Sequence, residues 1–179
     1  DSLAALTGSL DKDRVMQQVL NAAATVVPSE AGSIVLFEAD YGRVAYLRGF
    51  SCEAEIFFKG YQFPLAAITD VTARTDRQPY FIPDTKADSR WMPLPVSDWI
   101  RSSIGMPIEI RGEIIGLLSV DSATPNHFQH TDIEKLRVFA YYAGLALEKA
   151  LHVTMLETRV AERTGELQRA KERVEAILN

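Results

Sequence analysis

Side chains able to do chemistry are few in this chain and scattered. Its histidines are His127, His130 and His152, and its single cysteine is Cys52. His127, His130 and Asp132 have ligand types at a spacing a metal site can use, but no second cluster accompanies them. They read as polar groups of a connection, and no metal site is expected. Asp84 and Asp88, with Ser89 and Arg90 beside them, are the nearest approach to an acid–base pair. In a stretch of turn formers they are better read as hydrogen-bonding loop groups. The chain has no nucleophile elbow, no phosphate-cradling glycine loop and no phosphoacceptor histidine in a kinase-like setting. No catalytic residues are therefore expected, and the segment reads as a non-enzyme. Cys52 excludes an internal disulfide by being alone, and reads as a small buried residue near the end of an early strand.

The elements that would position these groups follow from periodicity. From Asp11, a good N-cap, Val15, Met16, Val19, Leu20, Ala23 and Val27 recur at helical spacing until Pro28. Residues 33–37 and 44–48 read as a hairpin closed by Asp40-Tyr-Gly42. A short helix over 52–61, a brief strand over 62–65, a helix from Ala67 to Thr75 and a strand over 79–82 are expected next. Residues 84–98 form the longest irregular stretch, of a length usual for a lid or binding loop. The surest strands are 102–110 and 113–122, joined by a tight turn at Arg111-Gly112. Ile104, Met106, Ile108 and Ile110 share one face by the two-residue period, as do Ile114, Gly116, Leu118 and Val120. Ile115 and Leu117 fall on the opposite face. A strand apolar on both faces needs layers on both sides, so the fold class is α/β (α+β): an antiparallel sheet of about six strands sandwiched by helices.

The last third reads as one long helix, opened by a capping box at Thr131 and Glu134. At about 1.5 Å per residue it would run roughly 70 Å, more than the domain can cover. Its end carries heptads with Ala146, Val153, Val160, Leu167 and Val174 at a, and Lys149, Leu156, Arg163, Ala170 and Ile177 at d. All five a positions and three of the d positions are apolar. A second copy of the same chain buries such a stripe by symmetry, so a homodimer through this helix is expected. Arg163 in the seam would weaken it and hold two packings close in energy. Residues 1–150 thus read as a globular unit and 151–179 as a coiled-coil helix, with heptads still running at the end, as in a segment of a longer protein.

Composition bounds the rest. The 179 residues are 47% hydrophobic with a net charge of −5. No apolar run approaches the ~18 residues of a membrane span, and no dense basic patch suits nucleic acid. A cytoplasmic location, with no membrane or nucleic-acid partner, is expected.

Ser103-Ile-Gly-Met-Pro-Ile-Glu-Ile-Arg-Gly-Glu-Ile-Ile-Gly-Leu-Leu-Ser-Val-Asp121, followed by Phe128-Gln-His-Thr-Asp132 and a long helix, resembles the C-terminal half of a GAF domain. Val71-Thr-Ala-Arg-Thr-Asp-Arg-Gln-Pro79 leading into Phe81-Ile-Pro-Asp84 agrees with the earlier half, so the resemblance spans roughly residues 4–150. Val160-Ala-Glu-Arg-Thr-Gly-Glu-Leu167 is similar to helices that connect GAF or PAS sensor domains to histidine kinase or cyclase output domains. The resemblance implies a six-stranded sheet with helices on one face and a small-molecule pocket on the other. It further implies a sensing or regulatory domain of a multidomain bacterial signal-transduction protein, a sensor histidine kinase above all, with a downstream kinase or PAS-type domain in the same chain. A ligand-free dimerisation module is the alternative. Bilin-binding members carry a cysteine before the final hairpin, and haem requires an axial His or Cys; neither stands at the expected place, so the cofactor stays open. The sulfoxide-reductase members need several cysteines, and this chain has one. If residues 84–98 and a helix around 98–102 cover the sheet as in the family, Phe50, Phe63, Ile82, Asp84, Trp91, Trp99, Ser102, Ser103 and Met106 line the pocket. The same aromatics would equally fill a core.

Overall fold

A computed structural model describes residues 2–65 and 78–178, with side chains from Asp11 onward. Helix α1 spans Ser2–Val26, followed by strands β1 (Ala31–Phe37) and β2 (Tyr41–Arg48). Helix α2 (Cys52–Gly60) and strand β3 (Gln62–Pro64) come next, then β4 (Tyr80–Ile82), β5 (Ser102–Ile110) and β6 (Glu113–Ser122). The long helix α3 runs from His130 to Leu178. The six strands form one antiparallel sheet in the order β3-β2-β1-β6-β5-β4. The helix expected over 67–75 lies outside the described residues.

Period-two alternation divides the sheet into two chemically distinct faces. Ile34 of β1, Ile104, Met106 and Ile108 of β5, and Leu118 and Val120 of β6 point to one side. There they meet Met16, Val19, Leu20 and Ala23 of α1 and Ile133, Leu136, Ala140, Ala143 and Leu147 of α3. The opposite side carries Val35, Leu117, Tyr80 and Ile82, with Phe63 and Trp91 packed over them. Ile115 departs from simple alternation. Ile108 pairs with Gly116 and Glu109 with Ile114, so Ile115 is the extra residue of a bulge and packs on the helical face rather than beside Leu117.

Local signals placed three features differently. Helix α1 begins at Ser2, so Asp11 lies within it and pairs with Arg14 instead of capping. At the start of α3 the Gln129 backbone N–H donates to Asp132 Oδ2 at 3.0 Å, while Glu134 accepts from Arg137. Thr131 is already inside the helix, and the reciprocal carboxylate sits two residues earlier than the Thr131–Glu134 pattern predicts. In place of a helix at 98–102 there is a single 3-10 turn at Pro95–Ser97, and Ser102 opens β5.

The β5–β6 hairpin is held against α3 at two points. Arg111 and Gly112 both adopt positive φ (50° and 79°), the two-residue turn whose twist matches the flanking strands. From that turn Arg111 Nε reaches Glu148 Oε1 at 2.7 Å, an exposed pair of small energetic weight. One helical turn earlier, Gly144 lets α3 close directly on β5, since a Cβ there would stand 2.5 Å from the Glu109 carbonyl oxygen. Gly144→Ala is expected to push the helix off the strand and cost about 1–3 kcal/mol by overpacking, measured by urea unfolding. Stability equal to the parent protein would show that the close approach is not needed.

A buried carboxyl at the floor of an aromatic pocket

The sheet face turned away from α1 and α3 bears a cavity of about 130 Å³. Its floor comes from β1 and β6, its near end from β4, and its walls from α2 and the segment between β4 and β5. Phe50, Phe58, Phe63 and Trp91 supply aromatic walls, with Phe50 edge-on to Phe58 at 5.6 Å between centroids. The Ser51 side chain accepts the Ala54 backbone N–H at 3.2 Å, which starts α2 where Phe58 can turn inward. The overlying segment is anchored at its ends. Thr85 Oγ1 donates to the Ile100 carbonyl at 2.6 Å, and Arg90 bonds both Asp88 and the Phe81 carbonyl.

Polar groups gather at one place on this otherwise apolar surface. Ser103 Oγ donates to Asp121 Oδ1 at 2.6 Å, and the Tyr80 hydroxyl lies 2.8 Å from Ser103 Oγ. Ser119 interacts with the same tyrosine hydroxyl and lies 2.7 Å from Ser33 Oγ. These residues come from four strands, and each points to the pocket face by the two-residue period of its own strand. Asp121, Tyr80, Ser103 and Ser119 are all buried. Gly105 makes the arrangement possible, because a Cβ there would collide with the Tyr80 ring that lies over β5. Burial is the main influence on Asp121 and raises its pKa to about 7, with the Ser103 hydrogen bond acting in the other direction. Burial likewise pushes the Tyr80 hydroxyl upward, keeping it a neutral donor.

The residues named from sequence distribute as follows. Phe50, Phe63 and Trp91 lie together on the pocket wall. Ile82 is buried in the apolar cluster beneath it, and Ser103 stands behind the wall as the link between Tyr80 and Asp121. Trp99 sits outside, edge-on to Phe50 at 5.9 Å and partly exposed. Asp84 faces outward and accepts from Arg101 at 3.0 Å, which with the Lys86 backbone N–H holds its carboxyl below the usual range. Ser102 Oγ donates to the Thr124 carbonyl, and Met106 lies in the core on the helical face. Sequence reasoning missed Ser33, Tyr80, Ser119 and Asp121. Continuing the alternation past Leu117 to Ser119 and Asp121 would have found two of them.

The other chemically capable side chains have separate placements. His127 Nε2 lies 2.8 Å from the Pro28 carbonyl, His130 packs on Phe81, and Asp132 serves the α3 terminus. Among the described residues no group of three or more His, Cys, Asp or Glu could hold a metal ion. Cys52 is the exposed first residue of α2, not a buried residue at a strand end, because Ser51 begins a helix there.

The fold is a six-stranded antiparallel sheet with paired helices behind it and a pocket in front, and the sequence match agrees with it. The family model for the GAF domain matches residues 9–148, and the chain belongs to that family. No curated protein matches it. Among solved structures it is similar to a GAF domain/HD domain protein from Geobacter sulfurreducens, with a TM-score of 0.68, 14% identity, and coverage of 79% of this chain and 94% of that one. It is also similar to a domain of a two-component sensor histidine kinase protein from Sinorhizobium meliloti, at 0.63 and 18% identity over 84% of this chain and 97% of that one. The blue-light-absorbing form of the PixJ GAF domain from Thermosynechococcus elongatus matches at 0.66 and 16% identity, covering 88% and 95%. At these identities the likeness establishes the fold. Among the described residues no helix is long and apolar enough to cross a membrane.

Because the folded Asp121 binds its proton more tightly than the unfolded chain does, its contribution to stability is complete below about pH 4 and is lost as pH rises through about 7. The loss is on the order of a few kcal/mol, at about 1.4 kcal/mol per pH unit of displacement. Denaturation midpoints across this range should decline in the parent protein and flatten in Asp121→Asn. Parallel curves would show that the carboxyl is not held protonated.

Proposed function

We propose that this chain is the ligand-sensing domain of a multidomain signal-transduction protein of the sensor histidine kinase type, with binding rather than catalysis as its task. The observation that carries the reading is that the pocket floor includes β6, whose hairpin partner β5 carries the long helix. Leu117, Ser119 and Asp121 face the cavity, while Leu118 and Val120 between them face the helical core. A ligand that shifts β6 or β5 therefore displaces the surface on which α3 rests, through the Glu109–Gly144 contact and the Arg111–Glu148 pair. The sensor and signalling proteins among the structural neighbours favour the same role.

The signal leaves through α3, paired with a second copy. Ala146 and Val153 at the start of the seam are half-buried beside α1. Beyond them the stripe is bare, with Val160 64% exposed, Leu167 70% and Ile177 82%. Leu156 and Val174 are exposed on the same repeat, as is Ala170. Such a row of apolar layers costs free energy until covered, and an identical helix in parallel covers it layer on layer. Arg163 turns aside to pair loosely with Glu166, leaving one polar layer in the seam.

The second reading, a ligand-free dimerisation module, is favoured by the small size of the cavity. Thermal denaturation against cyclic nucleotides and small metabolites separates the two, because a ligand at about 100 times its dissociation constant adds about 2.7 kcal/mol. A stabilising compound is expected; a silent screen selects the scaffold. Light scattering should give the mass of two chains for the parent protein. Val160→Glu with Leu167→Glu should give one chain, with the domain's circular dichroism otherwise preserved. A single-chain mass for the parent protein rejects the paired stalk.

A further inference from the structure

Resting on the sensing reading, we propose that the pocket takes a single-ring-sized, mostly apolar molecule whose polar end is a protonated or hydrogen-bond-donating nitrogen directed at Asp121 and Ser33. Volume sets the size: about 130 Å³ is close to the roughly 150 Å³ in which a buried protein cavity holds benzene. Among the described walls there is no Lys, Arg or His, and the only titratable groups facing the cavity are Tyr80 from β4 and Asp121 from β6. The surfaces offered by β1, β2, α2 and the β4–β5 segment are apolar apart from the hydroxyls of Ser33 and Ser97. Four charged groups of that segment pair with one another away from the cavity, Asp84 with Arg101 and Asp88 with Arg90.

The direction of the hydroxyls sharpens the assignment. Asp121, when ionised, only accepts, so Ser103 donates to it and Tyr80 must donate to Ser103. Ser119 then donates to the tyrosine oxygen, and Ser33 to Ser119. Every proton in the row is committed toward the carboxylate. The end of the row at Ser33 therefore presents lone pairs to the cavity, and Asp121 presents a carboxylate to it. Both are acceptors, and they match a donor. A ligand carboxylate or phosphate would instead meet a buried like charge with no cation to offset desolvation. Phe50, Phe58, Phe63 and Trp91 line the walls with aromatic rings, a lining compatible with a cation.

Benzylamine, benzyl alcohol and benzoate share one ring and differ in the charge and donor capacity of the end group. Their binding to the whole chain can be followed by amide chemical shifts at millimolar concentration and about pH 8, where Asp121 is ionised and an alkylamine is still protonated. Benzylamine should bind about tenfold or more tighter than benzyl alcohol, the size of one charge-assisted hydrogen bond, with benzoate weakest. Asp121→Asn should erase the amine's advantage over benzyl alcohol; the ranking in the parent protein tests the idea even if that variant folds poorly. Equal binding of amine and alcohol, or preference for benzoate, overturns the inference and leaves the sensing reading intact. No response to any of the three also overturns it, and only a silent metabolite screen as well would remove the sensing reading.

Discussion

Two adjacent strands with opposite obligations on their two faces hold this molecule together. Along β6 the sequence Leu117-Leu118-Ser119-Val120-Asp121 alternates between pocket and helical core, residue by residue. A sheet cannot move one face without the other, because the backbone is common to both and the interior on the helical side is close-packed. Gly144 and Gly105 express the same constraint from outside. One permits a helix, the other a tyrosine ring, to lie directly on the β5 backbone where a methyl group would intervene.

Polar burial in the pocket follows from that architecture. Four strands converge on one patch, and their inward positions are taken by Ser33, Tyr80, Ser103, Ser119 and Asp121. An isolated carboxyl in such a place would be expensive. The serine and tyrosine hydroxyls lessen the cost by donating in series, yet the group remains far enough from water that its proton is held near neutrality. A carboxyl in that condition is more easily explained by a partner it meets in the cavity than by stability, since an apolar residue of similar size would pack without penalty. The paired reading of α3 has an analogous basis: its outer half is an exposed stripe of apolar layers with nothing among the described residues to rest on.

What could be read along the chain, and what could not, separates by the range of the interaction. The β5–β6 hairpin, its Arg111-Gly112 turn and the inward-facing Ile104, Met106 and Ile108 were legible because alternation and turn chemistry act over a few residues. So was the stripe on α3, since a heptad is a local pattern. The Ile115 bulge was not, because it depends on how β6 registers against β5. Cys52 opens the helix expected over 52–61, but its exposure depends on how that helix packs on the sheet, and Met106 was assigned to the pocket although its parity puts it with Ile104.

The sequence by itself determined the two-faced sheet and the long amphipathic helix, which are consequences of periodicity and short-range steric preference, and its motifs carried the resemblance to the GAF family. Tertiary structure alone decided that Asp121 is the polar centre of a pocket. Ser33, Tyr80 and Ser103 come from three other strands, and only strand order and register bring them within hydrogen-bonding distance of Ser119 and Asp121 or of one another. Burial, the physical quantity that gives this carboxyl its properties, exists only after those strands have closed around it.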